Sequence, residues 1–203
     1  EVESEVAIIK TNKIPGGNGS EGITITADTT EWISTNLGVE ITYPSNLEIG
    51  LIKEYSKDNG TTWNEYTSKI EVEGNCIVKA RIKDSGNQTG EEVEYKVENI
   101  DKLPINNEAP SLEATVNKIT VTFNQTDEEA TTEDGKSGIK ENTKMYAIRE
   151  VGEEWSNWQT NNVFENLIQD TEYEVKTKAT DNAGNQEVES EVAIIKTNKI
   201  PGG

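Results

Sequence analysis

The sequence predicts an all-β chain folded as two β-sandwiches in series. Three observations carry this. Apolar residues recur at every second position in short runs, which is the period of a half-buried strand. Clusters of Gly, Pro, Asn and Asp separate those runs at short intervals, as hairpin-rich sandwiches require. One Pro-bearing stretch, Asp101 to Pro110, divides the strands into two sets of similar length.

The chain also repeats itself. Residues 1–17 and 187–203 both read EVESEVAIIKTNKIPGG, identical at every position. A duplication of this length marks a tandem array with a long period, and arrays make length. Residues 1–17 are therefore expected to be the final strand and linker of a preceding repeat. A lone amphipathic strand needs a sheet for its backbone groups and its apolar side chains. Residues 1–13 are accordingly expected to occupy, in a neighbouring copy, the slot that residues 187–199 fill here. A continuous fibre or exchange between chains would each provide it.

In the first set, strands are expected at Gly22–Asp28, at Glu31–Ile33, at Gly38–Tyr43 and at Ile49–Tyr55. The run Lys57-Asp58-Asn59-Gly60 is a hairpin turn, because Asn-Gly accepts the positive φ angles of a tight reversal. Thr61–Tyr66 is its return strand. Ile70–Val72, Cys76–Lys83 and Val93–Ile100 complete the set. In the second set, strands are expected at 112–116, 118–125, 144–149, 155–160, 172–180 and 187–197. Asp127–Gly138 is polar and acidic and reads as a loop. Asn162–Leu167 brings an apolar residue across the open edge between sheets. Trp63 and Trp155 are expected in the two cores at equivalent places. Trp155 and Trp158, three apart on one strand, would point to opposite faces.

Composition excludes several function classes. There are 38 acidic and 19 basic residues, a formal charge of −19. No nucleic-acid partner is expected, because phosphate binding needs a basic face. No run is long and apolar enough for membrane insertion. The chain has no histidine, which removes His-based triads and the commonest zinc ligand. The single cysteine, Cys76, lies in an apolar strand pattern and is expected to be a buried thiol. Carboxylates are many, but a glycosidase needs two of them facing each other across a cleft. The chain is not expected to be an enzyme, and no catalytic residue is assigned.

Two turns carry the remaining site candidates. Asp84-Ser-Gly-Asn87 and Asp181-Asn-Ala-Gly-Asn185 both present side-chain oxygens. Asp84, Asn87, Asp181 and Asn185 could offer these oxygens to a cation. The plainer reading is a turn in which Asp and Asn cap backbone groups. No spaced ladder of acids of the EF-hand kind is present.

The two sets are distant copies of each other, and their shared motifs are nameable. The first has Tyr55-Ser, Asp58, Gly60, Trp63 and Tyr66, then V-K-A-R-I-K-D-S-G-N from Val78 to Asn87, and closes with V-E-N-I-D-K-L-P. It resembles a bacterial immunoglobulin-like domain. The second has W-S-N-W at Trp155–Trp158, N-L-I-Q-D-T-E-Y-E-V from Asn166 and A-T-D-N-A-G-N from Ala179. It is similar to bacterial fibronectin type III modules. The resemblance implies residues 18–105 as an immunoglobulin-like domain and 106–203 as a fibronectin type III-like domain. It implies a structural repeat of a bacterial surface stalk or extracellular filament. The partners so implied are neighbouring repeats of the same protein, including end-to-end self-assembly. Some tandem stalks of this kind hold calcium at domain junctions, and it is this resemblance that makes Asp84, Asn87, Asp181 and Asn185 weak calcium candidates. The alternative is a carbohydrate-binding or adhesin module with a glycan or host-surface ligand.

Overall fold

The computed structural model describes residues 22–45, 47–128, 131 and 133–202. The first copy of the duplicated segment lies outside the described residues, and with it the strand expected at 1–13 and its pairing. The chain divides into two compact units. The first holds the described residues up to Thr29, with Leu37–Val72 and Cys76–Val97; the second holds Thr30–Asn36, Glu73–Asn75 and the chain from Glu98 onward.

Among the described residues, the first unit has seven strands: β1 (Thr24–Ala27), β2 (Leu37–Thr42), β3 (Ile52–Ser56), β4 (Asn64–Glu65), β5 (Ile70–Val72), β6 (Cys76–Lys83) and β7 (Val93–Val97). They form two antiparallel sheets, ordered β1-β2-β5 and β4-β3-β6-β7. The register follows from alternation. Leu37, Val39 and Ile41 of β2 are buried, as are Val78, Ala80 and Ile82 of β6, while the residues between them turn outward. A slip of one residue would place charged side chains in the core. Cys76 shares the face of Val78 but is only half-buried, because it is the first residue of its strand. The stretch at Glu31–Ile33 supplies a single bridge, Ile33 with Ile100, rather than a strand.

The reversal after β3 is longer than a two-residue hairpin, because pairing resumes only at Asn64. Asn59 and Gly60 do take positive φ, 58° and 88°. The Asp58 carboxylate organises the loop, accepting from the Thr62 N–H at 2.8 Å, the Thr62 hydroxyl at 2.6 Å and the Ser56 hydroxyl at 2.6 Å.

The described residues of the second unit also form seven strands: β8 (Ser111–Ala114), β9 (Lys118–Thr122), β10 (Met145–Glu150), β11 (Val163–Glu165), β12 (Glu172–Ala179), β13 (Val188–Glu189) and β14 (Ala193–Lys196). One sheet is ordered β8-β9-β11; in the other, β12 pairs with β10 on one edge and with β13 and β14 on the other. Between them lie Ile119, Val121, Tyr146, Ile148, Phe164, Tyr173 and Val175. The Tyr173 hydroxyl accepts the Ile168 N–H at 2.9 Å. This is the tyrosine corner of immunoglobulin-like sandwiches, which pins the crossing between sheets.

Two further expectations are corrected. The segment 155–160 is not a strand, so the pleat rule does not govern its tryptophans. The run 187–197 is two strands, not one. Between β13 and β14 the chain carries one extra residue relative to β12, the signature of a bulge. There the Ser190 hydroxyl accepts the Thr177 N–H at 2.9 Å, replacing a main-chain acceptor. The buried Thr177 hydroxyl donates to Gln125 Oε1 at 2.9 Å, and Gln125 Nε2 donates to the Val188 carbonyl at 3.1 Å.

Candidate functional site

The second unit brings together three aspartates that are far apart in sequence. Asp101 lies ahead of β8, Asp127 follows β9, and Asp181 follows β12. Ser137 and Gly138 form the frame that holds them. The Ser137 N–H donates to Asp101 Oδ2 at 3.0 Å, and the Gly138 N–H donates to Asp127 Oδ2 at 2.6 Å. From the Asp181 side, the Ala183 N–H donates to the Ser137 hydroxyl at 3.0 Å and the Asn182 N–H donates to the Gly138 carbonyl at 2.9 Å. Gly138 meets this crossing with a φ of 80°, a conformation that suits glycine.

Each carboxylate is gripped through part of its acceptor capacity only. Asp181 has no exposed surface. Its Oδ1 accepts the N–H groups of Gly184 at 2.8 Å and Asn185 at 3.0 Å, while its Oδ2 is buried without a hydrogen-bond partner. Asp127 Oδ1 is buried and unpartnered as well. Asp101, also without exposed surface, is the best satisfied; its Oδ1 accepts the Leu103 N–H at 3.2 Å and Asn185 Nδ2 at 3.5 Å. Burial pushes the Asp127 carboxyl above its ordinary range, against the Gly138 N–H that holds it down; the charges of Asp101 and Asp181 push it further up. Among the described residues, no ion pair reaches any of the three.

The four sequence candidates divide between the units. Asp84 and Asn87 belong to the turn after β6. There Asp84 Oδ1 accepts the N–H groups of Gly86 and Gln88, both at 2.8 Å, and Asn87 sits at a φ of 63°. Asp181 and Asn185 belong to the acidic cluster, where Asn185 Nδ2 donates to the carbonyls of Asp101 at 2.9 Å and Leu103 at 3.1 Å. Sequence reasoning missed Asp101 and Asp127. Asp127 opens the acidic loop and nothing in its spacing separates it from its neighbours.

The tryptophans differ from expectation. Trp63, Trp155 and Trp158 are half-buried, not core. Each faces cations from outward positions of a sheet. Arg81 lies 3.7 Å from the Trp63 centroid. Arg149 and Lys176 each lie 4.6 Å from Trp155; Lys176 and Lys178 lie 5.1 and 4.7 Å from Trp158. Lys176 thus serves both rings, so Trp155 and Trp158 share a face. Carboxylates close the ladder: Glu174 with Arg149, Glu189 with Lys176 at 2.7 Å and Glu187 with Lys178 at 2.9 Å.

No known family's sequence profile matches the chain, and no curated protein sequence matches it. Solved structures do. The FN1–FN3 segment of chicken contactin is 15% identical with a TM-score of 0.30, covering 83% of this chain and 62% of its own. A titin segment is 14% identical with a TM-score of 0.37, covering 86% of this chain and 66% of its own. A two-domain fibronectin type III segment of chicken tenascin is 13% identical with a TM-score of 0.29, covering 85% of this chain and 98% of its own. The chain is thus shorter than the contactin and titin segments that it matches. With scores this low, the fold class rests on the sheet order and the tyrosine corner: the chain is all-β, of immunoglobulin-like and fibronectin type III-like sandwiches. No helix among the described residues is long and apolar enough to cross a membrane.

Proposed function

We propose that this chain is a structural repeat of a bacterial cell-surface stalk or extracellular filament, giving reach and stiffness rather than catalysis. The observation that carries the reading is the identity of residues 1–17 and 187–203. In the second copy these residues supply β13 and β14, the last strands of the second unit. On this reading the same words at residues 1–17 are taken as the end of a preceding like unit, with the pair of sandwiches as the period. The Pro-bearing segments at 101–110 and 198–203 support semi-rigid spacing. The acidity supports solubility and self-repulsion along a fibre.

The test is a series of polypeptides carrying two, three and four periods, measured by small-angle X-ray scattering. The largest dimension should grow by a constant increment per period. A dimension that levels off, as collapsed chains give, overturns the reading. The alternative, a carbohydrate-binding or adhesin module, would rest on exposed aromatic platforms. Trp155 and Trp158 instead carry cations on their rings. Selective binding on a glycan array, lost in Trp158→Ala, would favour that alternative.

A further inference from the structure

We propose, resting on the reading of the chain as one repeat of an array, that Val151, Ile168 and Ile200 form an apolar cap at the exit end of the second unit. Its occupant is the turn carrying Ile49 at the entry end of the first unit of the following repeat.

Hydrogen bonds gather the cap from three segments. Where β10 ends, the Val151 N–H donates to the Glu172 carbonyl at 3.1 Å, at the start of β12. Ahead of β12, the Ile168 N–H donates to the Tyr173 hydroxyl at 2.9 Å, and that hydroxyl donates to Glu150 Oε1 at 3.4 Å. Beyond β14, the Thr197 hydroxyl donates to the Ile168 carbonyl at 2.6 Å, and the Ile200 N–H donates to Gln169 Oε1 at 3.0 Å. All three segments thus meet at the end by which the chain leaves this unit. Among the described residues six large apolar side chains are exposed, and Val151, Ile168 and Ile200 are three of them. Single exposed apolar residues are ordinary, but several gathered at one end mark a surface that is covered in use.

The first unit presents an apolar tip where its own chain begins. Thr24 of β1 lies opposite Thr42 of β2, so the loop after β2 lies beside the start of β1. A Cβ on Gly22 would stand 3.2 Å from Pro44. In that loop the Leu51 N–H donates to the Glu48 carbonyl at 3.2 Å and Gly50 takes a φ of 91°, which makes Ile49 and Gly50 the central pair of a turn. Such positions favour Pro, Gly and polar residues. Ile49 is 98% exposed there, so it adds nothing to the core of its own unit.

Chain length selects the occupant. In the array Gly203 corresponds to Gly17 and is followed by the sequence of Asn18–Glu21. Gly203 and those four residues alone separate Gly202 from the next Gly22, a reach of roughly 20 Å when fully extended. The bond to Gln169 fixes the chain at Ile200 before this tether starts. So short a tether keeps the Ile49 tip beside the cap at about millimolar effective concentration, far above that of a separate chain. Contact takes all four side chains out of water, which is favourable in proportion to the area covered.

The test uses a two-period polypeptide, residues 1–203 followed by 18–203. In a Cys76→Ala background, Ile168→Cys in the first period is paired with Ile49→Cys in the second. The comparison pair replaces Ile168→Cys by Ile194→Cys, which is also exposed but lies on β14. Under mild oxidation the first pair should close an intramolecular disulfide about tenfold faster, because a mere tether would serve both alike. With the native cysteine kept and only the first period isotope-labelled, hydrogen exchange at the Ile200 amide should be about tenfold slower than in the one-period chain. Ile49→Asp in the second period should restore the faster exchange, yet leave the melting midpoint of a one-period chain unchanged. Equal disulfide rates, or exchange that Ile49→Asp does not alter, overturn the contact; the array reading survives that failure if the largest dimension still grows by a constant increment per period. A dimension that levels off overturns both. Disulfides formed between chains instead of within one would give the cap to a separate copy and overturn the proposal as well.

Discussion

The Arg81 guanidinium stacks on the Trp63 ring, 3.7 Å from its centroid. From the same side chain, Nε donates to Glu54 Oε2 at 2.9 Å. The tryptophan therefore covers an ion pair on the outward side of β6. Glu54 is only 6% exposed and also holds Lys83 at 2.8 Å.

Arg81→Met keeps part of the apolar stem and removes the charge. The stack is lost and Glu54 is left with Lys83 alone. We expect a loss of about 2 kcal/mol, below the cost of leaving a buried charge with no partner at all. Arg81→Lys should recover only part of it, because an ammonium cannot stack as a planar guanidinium does. Urea unfolding reads the difference; an unchanged midpoint in Arg81→Met would mean that stack and pair contribute nothing net.

Acid should weaken the first unit through two carboxylates. Hydrogen bonds from the Ser56 and Thr62 side chains and the Thr62 N–H hold Asp58 down at about 2, against an ordinary value of 3.8. Burial pushes Glu54 upward, but hydrogen bonds from Lys83 and Arg81 outweigh it and the carboxyl lies below its ordinary range. Both folded values are depressed, so the stability they contribute is present above the unfolded values and is lost as pH falls through the folded ones. Melting midpoint against pH should decline from 3.8 toward about 2. Asp58→Asn should flatten that decline, and an unaltered acid limb would contradict the role given to the loop.

Lys176 lies against both Trp155 and Trp158, so its removal should disturb two rings together. Lys176→Met is expected to cost about 1 kcal/mol, as partly exposed cation–aromatic contacts do. A double-mutant cycle with Trp158→Ala should show coupling of about 0.5–1 kcal/mol. Strict additivity would mean that the contact contributes nothing to stability.

Gly135 sits where no side chain fits. A Cβ there would lie 2.7 Å from the Trp32 ring and 2.9 Å from the Ile100 carbonyl, whose oxygen accepts the Gly135 N–H at 2.8 Å. A rigid ring and a backbone oxygen cannot swing aside as a flexible side-chain tip can. Gly135→Ala should cost about 1–3 kcal/mol by overpacking. Trp32→Leu in the same chain should relieve part of that penalty, as seen in thermal unfolding.

The sequence by itself determined the class of fold, the strands that alternate cleanly and the identity of residues 1–17 with 187–203. Runs such as Leu37–Thr42 and Cys76–Lys83 have one face apolar and one polar, and a sheet with one wet face is the arrangement that satisfies both. The duplication needed no structure to be seen. Tertiary structure alone decided three other matters. It broke the run 187–197 at Ser190, because the hydroxyl of that residue can replace a main-chain carbonyl as acceptor for the Thr177 N–H of β12, and no periodicity signals it. It moved the tryptophans from the cores to the outward faces, where Arg81, Arg149, Lys176 and Lys178 receive them; residue type alone does not distinguish a ring stacked on cations from a ring in a core. It also gathered Asp101, Asp127 and Asp181. Those residues come from three connections of the second unit, and only the folding of the backbone around Ser137 and Gly138 makes neighbours of them, so their meeting has no trace in sequence spacing.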